Sequence, residues 1–109
     1  MGGKMILLYI LEDKKAVACD DAIPWAIWME SHRDERRVAE TMVGETKIST
    51  VFLGVDMSPF VIGRPHLFET MTFGGGEWNL RVQMRYSTWE EAEAGHEEIV
   101  RQVKADKGE

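Results

Sequence analysis

The stretch Thr88–Lys104, TWEEAEAGHEEIVRQVK, decides the fold. Trp89, Ala92, His96, Ile99 and Val103 recur at the three- and four-residue spacing of one helical face. Thr88 can cap the helix start, and Glu91 three residues on completes a capping box. Glu90 and Glu91 suit the positive end of the helix dipole, and Arg101 and Lys104 suit its negative end. Gly95 lies beside the apolar stripe. A glycine inside a helix costs about 1 kcal/mol relative to alanine, so the spacing predicts close approach of this helix to a sheet at Gly95.

The rest of the chain supplies the sheet. Leu80–Tyr86 alternates, with Leu80, Val82, Met84 and Tyr86 on one side and Arg81, Gln83 and Arg85 on the other. His66–Phe73 reads as a strand closed by Gly74-Gly75-Gly76. Arg37–Val43 and Lys47–Val55 flank Gly44-Glu45-Thr46, a hairpin turn. The apolar run Met5–Leu11 suits a strand buried on both faces, or a central strand, with Ala16–Cys19 as its partner across a charged turn. Pro24–Ser31 is predicted as a short helix, entered through Asp20-Asp21 and Pro24, with Trp25, Trp28 and Met29 on one face. Ser31–Arg37 is a polar surface turn, and Asp56–Pro65 is a loop. The sum is a single α+β domain over residues 1–109. A mostly antiparallel four- to five-stranded sheet packs against a C-terminal helix, with one short helix near residues 24–31.

Bulk composition bounds the function. A chain of 109 residues has no room for a separate cofactor domain, and no cofactor is expected. An apolar share of 44% with 29% charged residues is that of a soluble globular protein. Nineteen acidic residues against thirteen Lys and Arg leave a charge of −6. The densest basic run, Arg33, Arg36 and Arg37, is interrupted by Asp34 and Glu35, which disfavours nucleic acid as a partner. Cys19 stands alone, so neither an intramolecular disulfide nor a cysteine zinc site can form, and a reduced cytosol fits. Met5–Leu11 is too short to cross a membrane and reads as a strand rather than a signal peptide.

No catalytic constellation stands out. GxSxG is absent, Ser49, Ser58 and Ser87 have no evident base, and the glycine triplet lacks the phosphate-loop pattern. Asp56, His66, Glu69 and His96 fit no metal-ligand spacing. The ligand-binding candidates are Trp25, Trp28, Glu69, Arg81, Arg85 and His96. Trp25 and Trp28 can fill the core or stack on a planar ligand. Trp89 belongs to the helix stripe, and Trp78 sits in an exposed turn. Arg81 and Arg85 share a strand face and could hold an anion. Glu69 takes one of two positions. If Phe73 pairs with Leu80, it faces Met84 on the core side; a slip of one residue sets it opposite Arg85 on the outer face. His96 points inward, either as a hydrogen-bonded core residue or as a ligand group.

Three segments carry a resemblance when taken together: Ser49–Asp56 (STVFLGVD), Leu67–Gly75 (LFETMTFGG) and Arg85–His96 (RYSTWEEAEAGH). They resemble a family of small tailed-bacteriophage and prophage proteins, in which STVFLGLD, LFETMxFGG and RYSTWEEAxAGH motifs recur in this order. Trp25–Glu30 and Arg36–Glu40 resemble the family's upstream stretch, so the likeness runs over residues 24–103. Met57 departs from it, standing where the family commonly has histidine. The resemblance implies a phage origin and the host cytoplasm, and it brings no catalytic mechanism. The expectation is a non-enzymatic accessory protein, a homo-oligomer such as a dimer, that captures a small anionic ligand. A nucleotide signal sequestered in counter-defence is the leading case. The alternatives are an inhibitor or adaptor of a host protein, and a small metal-dependent hydrolase using Asp56, Glu69 and His96.

Overall fold

The computed structural model describes residues 7–58, 63–74, 83–106 and 108. The elements run β1 (Tyr9–Glu12), β2 (Lys15–Ala18), α1 (Ala22–Ser31), β3 (Arg37–Val43), β4 (Thr46–Phe52), β5 (Phe68–Phe73), β6 (Gln83–Tyr86) and α2 (Trp89–Asp106). The strands form a four-stranded sheet in the order β3-β4-β5-β6 and a separate two-stranded sheet of β1 and β2. All the strand pairs are antiparallel. The α+β reading therefore holds, with α2 packed on the larger sheet.

Alternation along β4 builds the core face. Thr46, Ile48, Thr50 and Phe52 are buried, while Lys47, Ser49 and Val51 between them are not. Their partners on β5 continue the same face, with Phe68 opposite Phe52, Thr70 opposite Thr50 and Thr72 opposite Ile48. The buried residues of α2 are Trp89, Ala92, His96, Ile99 and Val103, the stripe expected from spacing. One apolar cluster gathers Leu11, Phe52, Leu67, Phe68, Trp89 and Ala92. A second gathers Val43, Ile48, Ile99 and Val103.

Between the two clusters the contact is polar. His96 follows Ala92 by one helical turn and precedes Ile99. Its Nε2 lies 2.8 Å from the Thr41 hydroxyl and its Nδ1 lies 2.7 Å from that of Thr50. Thr50 and Thr70 share a 2.5 Å hydrogen bond, and the Tyr86 hydroxyl donates to Thr70 over 3.1 Å. A chain of five polar side chains thus crosses the layer between the two apolar clusters. Buried polar groups are tolerated when partnered in this way.

Gly95 makes room for the last link. A Cβ there would stand 2.2 Å from Cε1 of Tyr86 and 2.3 Å from its hydroxyl oxygen. The close approach expected from sequence is therefore real, and its object is the Tyr86 ring. The start of α2 is closed as expected too. Thr88 Oγ1 accepts from the Glu91 amide, and the Glu91 carboxylate accepts from the amides of Ser87 and Thr88. Arg64 donates two hydrogen bonds to that carboxylate and holds it below the ordinary glutamate range.

Met5–Leu11 departs from its expected place. Within the described residues the strand begins at Tyr9 and pairs only with β2, rather than occupying a central position. One bridge, Leu8 to Val55, ties the hairpin to the chain leaving β4. Gly54, at φ 78°, turns that chain away and ends β4 at Phe52. The Trp25 indole N–H then donates to the carbonyls of Tyr9 and Gly54, at 3.1 and 3.0 Å. A Cβ on Gly54 would meet the Met29 side chain at 2.7 Å, so α1 sits directly against this turn. Of the described part of that run, Leu11 is buried, Leu8, Tyr9 and Ile10 are half-buried, and Leu7 is exposed.

Candidate functional site

Two turns and the first residue of α2 enclose a cleft of about 380 Å³. Its walls are Leu11, Asp13, Lys14, Asp34, Glu35, Arg37 and Trp89. The β1–β2 turn supplies Asp13 and Lys14, both in the left-handed region at φ 53° and 69°. Positive φ at both central residues matches the twist of a tight hairpin, but it normally selects Asn and Gly. Each L-residue with a bulky side chain held there costs roughly 1 kcal/mol. The turn carries the Lys14 ammonium over the Trp89 ring, 5.2 Å from its centroid. That is the range of a cation–π contact.

The second turn, residues 32–36, links α1 to β3. His32 accepts from the Arg36 amide through its carbonyl, and the Asp34 carbonyl accepts from Arg37. The Arg36 carbonyl then accepts from Phe52 at 2.7 Å, which pins the turn to the sheet. Asp34 and Glu35 are exposed at its tip. Arg37 pairs loosely with Glu40 at 3.5 Å, an exposed contact of little energetic weight.

Trp89 forms the apolar wall. It is 7% exposed and meets Phe68 edge-on at 6.2 Å. Its indole N–H is buried without a hydrogen-bond partner among the described residues. A buried donor left unpaired costs about 1–3 kcal/mol. The cleft thus combines a planar ring with two cations and three carboxylates. The Glu91 amide in the first turn of α2 is already taken by the Thr88 hydroxyl.

The residues singled out from sequence lie in three places. Trp25 is held by its two carbonyl acceptors, and Trp28 stacks on His32 at 4.5 Å and meets Phe52 edge-on at 6.0 Å. Both tryptophans fasten α1 to the sheet end. Glu69 and Arg85 face each other on the side of the sheet away from α2, the one-residue slip of the two registers considered. The Arg85 Nε donates to Glu69 over 3.0 Å, and its Nη1 donates to the Met57 carbonyl over 3.3 Å. Glu69 is 8% exposed, so a guanidinium offsets the cost of burying its charge. His96 lies across the sheet from that pair, 3% exposed and bonded to Thr41 and Thr50. Burial pushes its pKa down, a trend opposed only by nearby Glu97. Arg81, Leu80 and Val82 of the expected last strand, and Trp78 in the turn before it, lie outside the described residues.

Asp56 organises a loop. It accepts from the amides of Ser58 and His66, at 2.9 and 3.0 Å. Partial burial pushes its carboxyl up, but these amides outweigh that and leave it below the ordinary aspartate range. Among the described residues no group of three or more His, Cys, Asp or Glu side chains could hold a metal. Asp56, Glu69 and His96 accordingly do not converge. No helix of the described residues is long and apolar enough to cross a membrane.

The cleft itself was not read from sequence. Asp13 and Lys14 stood out only as a charged turn, and Asp34, Glu35 and Arg37 only as a polar connection. Their meeting at Trp89 depends on contacts across more than fifty residues, which no local pattern encodes. Compared with known proteins, the chain matches no family model, no curated protein and no solved structure.

Proposed function

We propose that the protein is a non-enzymatic accessory protein that captures a small ligand in the cleft beside Trp89. The carrying observation is the pairing of an indole with Lys14, Arg37 and three carboxylates around about 380 Å³. That volume falls within the range of small-molecule sites. A nucleotide signal suits the lining: the base takes the face of Trp89, and the phosphate takes the cations. Lys14 now covers that face, so binding moves its ammonium from the ring to the phosphate. The phage setting comes from the motif resemblance. In that setting the protein works in the host cytoplasm and withholds a signal from host defence.

Calorimetry against cyclic and linear nucleotides tests this. Binding is expected at roughly 100 µM ligand or below, weakened about tenfold or more by Lys14→Ala with Arg37→Ala. No heat from folded protein across the panel would overturn the reading.

A second reading rests on α1. Ile23 and Ile27, one helical turn apart, are 71% and 64% exposed. No residue of α1 is fully buried, although its sequence is apolar on most sides. A helix apolar all round is normally covered. The homo-oligomer expected from sequence would place a second copy there, and a host-protein inhibitor would use the same face. Light scattering of wild type and of the Ile23→Asp/Ile27→Asp double variant separates the cases. A dimer mass lost in the variant supports self-association; a monomer mass in both removes it.

A further inference from the structure

We infer that His96 and Tyr86 are the two ends of a proton-operated switch. One proton taken up by the buried His96 ring reverses the hydrogen-bond chain between them and turns the Tyr86 hydroxyl from donor to acceptor. The switch needs neither the cleft nor a ligand.

The resting direction follows from counting protons. Each hydroxyl has one proton to give, and a neutral imidazole donates through one nitrogen and accepts through the other. The Tyr86 hydroxyl donates to Thr70. Thr70 then gives its own proton to Thr50, and Thr50 gives its proton to the His96 Nδ1. The ring proton is left on Nε2, where it serves Thr41 over 2.8 Å. The other tautomer, with the proton on Nδ1, fails this count while Tyr86 donates. Thr50 and Thr70 would then hold two protons with a single bond between them, and one buried donor would go unpaired. A phenol is also a stronger donor than an alcohol, so Tyr86 belongs at the giving end.

A charged imidazole donates through both nitrogens. Nδ1 then gives a proton to Thr50, Thr50 gives its own to Thr70, and Thr70 gives its own to Tyr86. The Thr41 bond keeps its direction. Tyr86 is half-buried, so its displaced proton turns to water. The sheet sets little charge against the ring. β3, β4, β5 and β6 contribute Thr41, Thr50, Thr70 and Tyr86 to the chain, and Tyr86 is the one titratable residue on the described inner face of these strands. On α2, Glu93 and Glu97 are exposed. Burial opposes the charged ring, and Glu97 favours it. Tyr86 ends β6 and Trp89 begins α2, so the far end of the chain lies at a strand–helix junction.

Nitrogen NMR of the full chain tests this, with Tyr86 followed through its ring carbon Cζ. At about pH 8, above the ordinary histidine range, the His96 ring should carry its proton on Nε2. As pH is lowered, Nδ1 should gain the second proton, and Tyr86 Cζ should shift with the same midpoint. Thr70→Val removes the middle of the chain and should leave Tyr86 Cζ unmoved through that titration. A resting proton on Nδ1 overturns the inference. So does a Tyr86 signal that ignores the His96 titration, a Tyr86 shift that persists in folded Thr70→Val, or unfolding of the chain before the ring is protonated. The tautomer and the shared midpoint are read on the wild-type chain alone, so they decide even where Thr70→Val does not fold.

Discussion

Gly95→Ala is expected to destabilise the fold by about 2 kcal/mol, although alanine is the better helix former. Two effects oppose each other. Alanine gains about 1 kcal/mol of helix propensity over glycine. The new methyl, however, would stand 2.2 Å from Cε1 of Tyr86. Overpacking of this kind costs about 1–3 kcal/mol. Moving the ring also breaks the Tyr86–Thr70 hydrogen bond, about 1 kcal/mol more. The clash wins, and the melting temperature should fall by roughly 10 °C, given about 4–8 °C per kcal/mol in a domain of this size. A cycle with Tyr86→Ala isolates the cause. In that background the ring is gone, and Gly95→Ala should become neutral or stabilising by up to about 1 kcal/mol. Chemical denaturation of the four proteins reads the result. An equal cost in both backgrounds would show that the ring is not what Gly95 accommodates.

The second large effect is on pH dependence. His96 is buried and its pKa is lowered by desolvation. The unfolded chain then binds a proton more readily than the folded one. Stability rises with pH wherever the unfolded state holds more protons. It should therefore begin to fall as pH drops to about 7, near the ordinary histidine value of 6.5. The loss continues down to the depressed folded value and then stops for this group. Asp56 and Glu91 act elsewhere. Both are held below their ordinary values of 3.8 and 4.5, so their contribution is lost only in more acid solution. His96→Leu should remove the near-neutral part of the profile. It should also cost roughly 2–4 kcal/mol at pH 7.5, because the Thr41 and Thr50 hydroxyls lose their partner. A near-neutral slope unchanged in the leucine variant would place the proton on another group.

Much of the scaffold was legible because it is periodic. The stripe on α2, its capping box and the constraint at Gly95 all follow from spacing within one helix. The strands of the larger sheet followed from alternation and from the Gly44 turn. The register of Glu69 did not, because a slip of one residue keeps every local pattern and reverses the face. Its answer came from the match to Arg85 at 3.0 Å. His96 was rightly ambiguous: a histidine on a core stripe is explained only when its partners are known, and these sit on β3 and β4. The cleft was least legible, since its two turns owe their meeting to the way α1 and the hairpin lean on Gly54 through Trp25.

The threonines on the inner sheet face bear on how the chain is made. Each strand of the larger sheet lies beside its neighbour in sequence. The meander can therefore assemble in the order of synthesis, before α2 has left the ribosome. During that interval the face destined for α2 meets water. Thr41, Thr46, Thr50, Thr70 and Thr72 give it hydroxyls where an all-aliphatic face would be adhesive. Two of these hydroxyls, those of Thr41 and Thr50, then receive His96 when the helix arrives, so side chains that protect the nascent sheet later orient its lid.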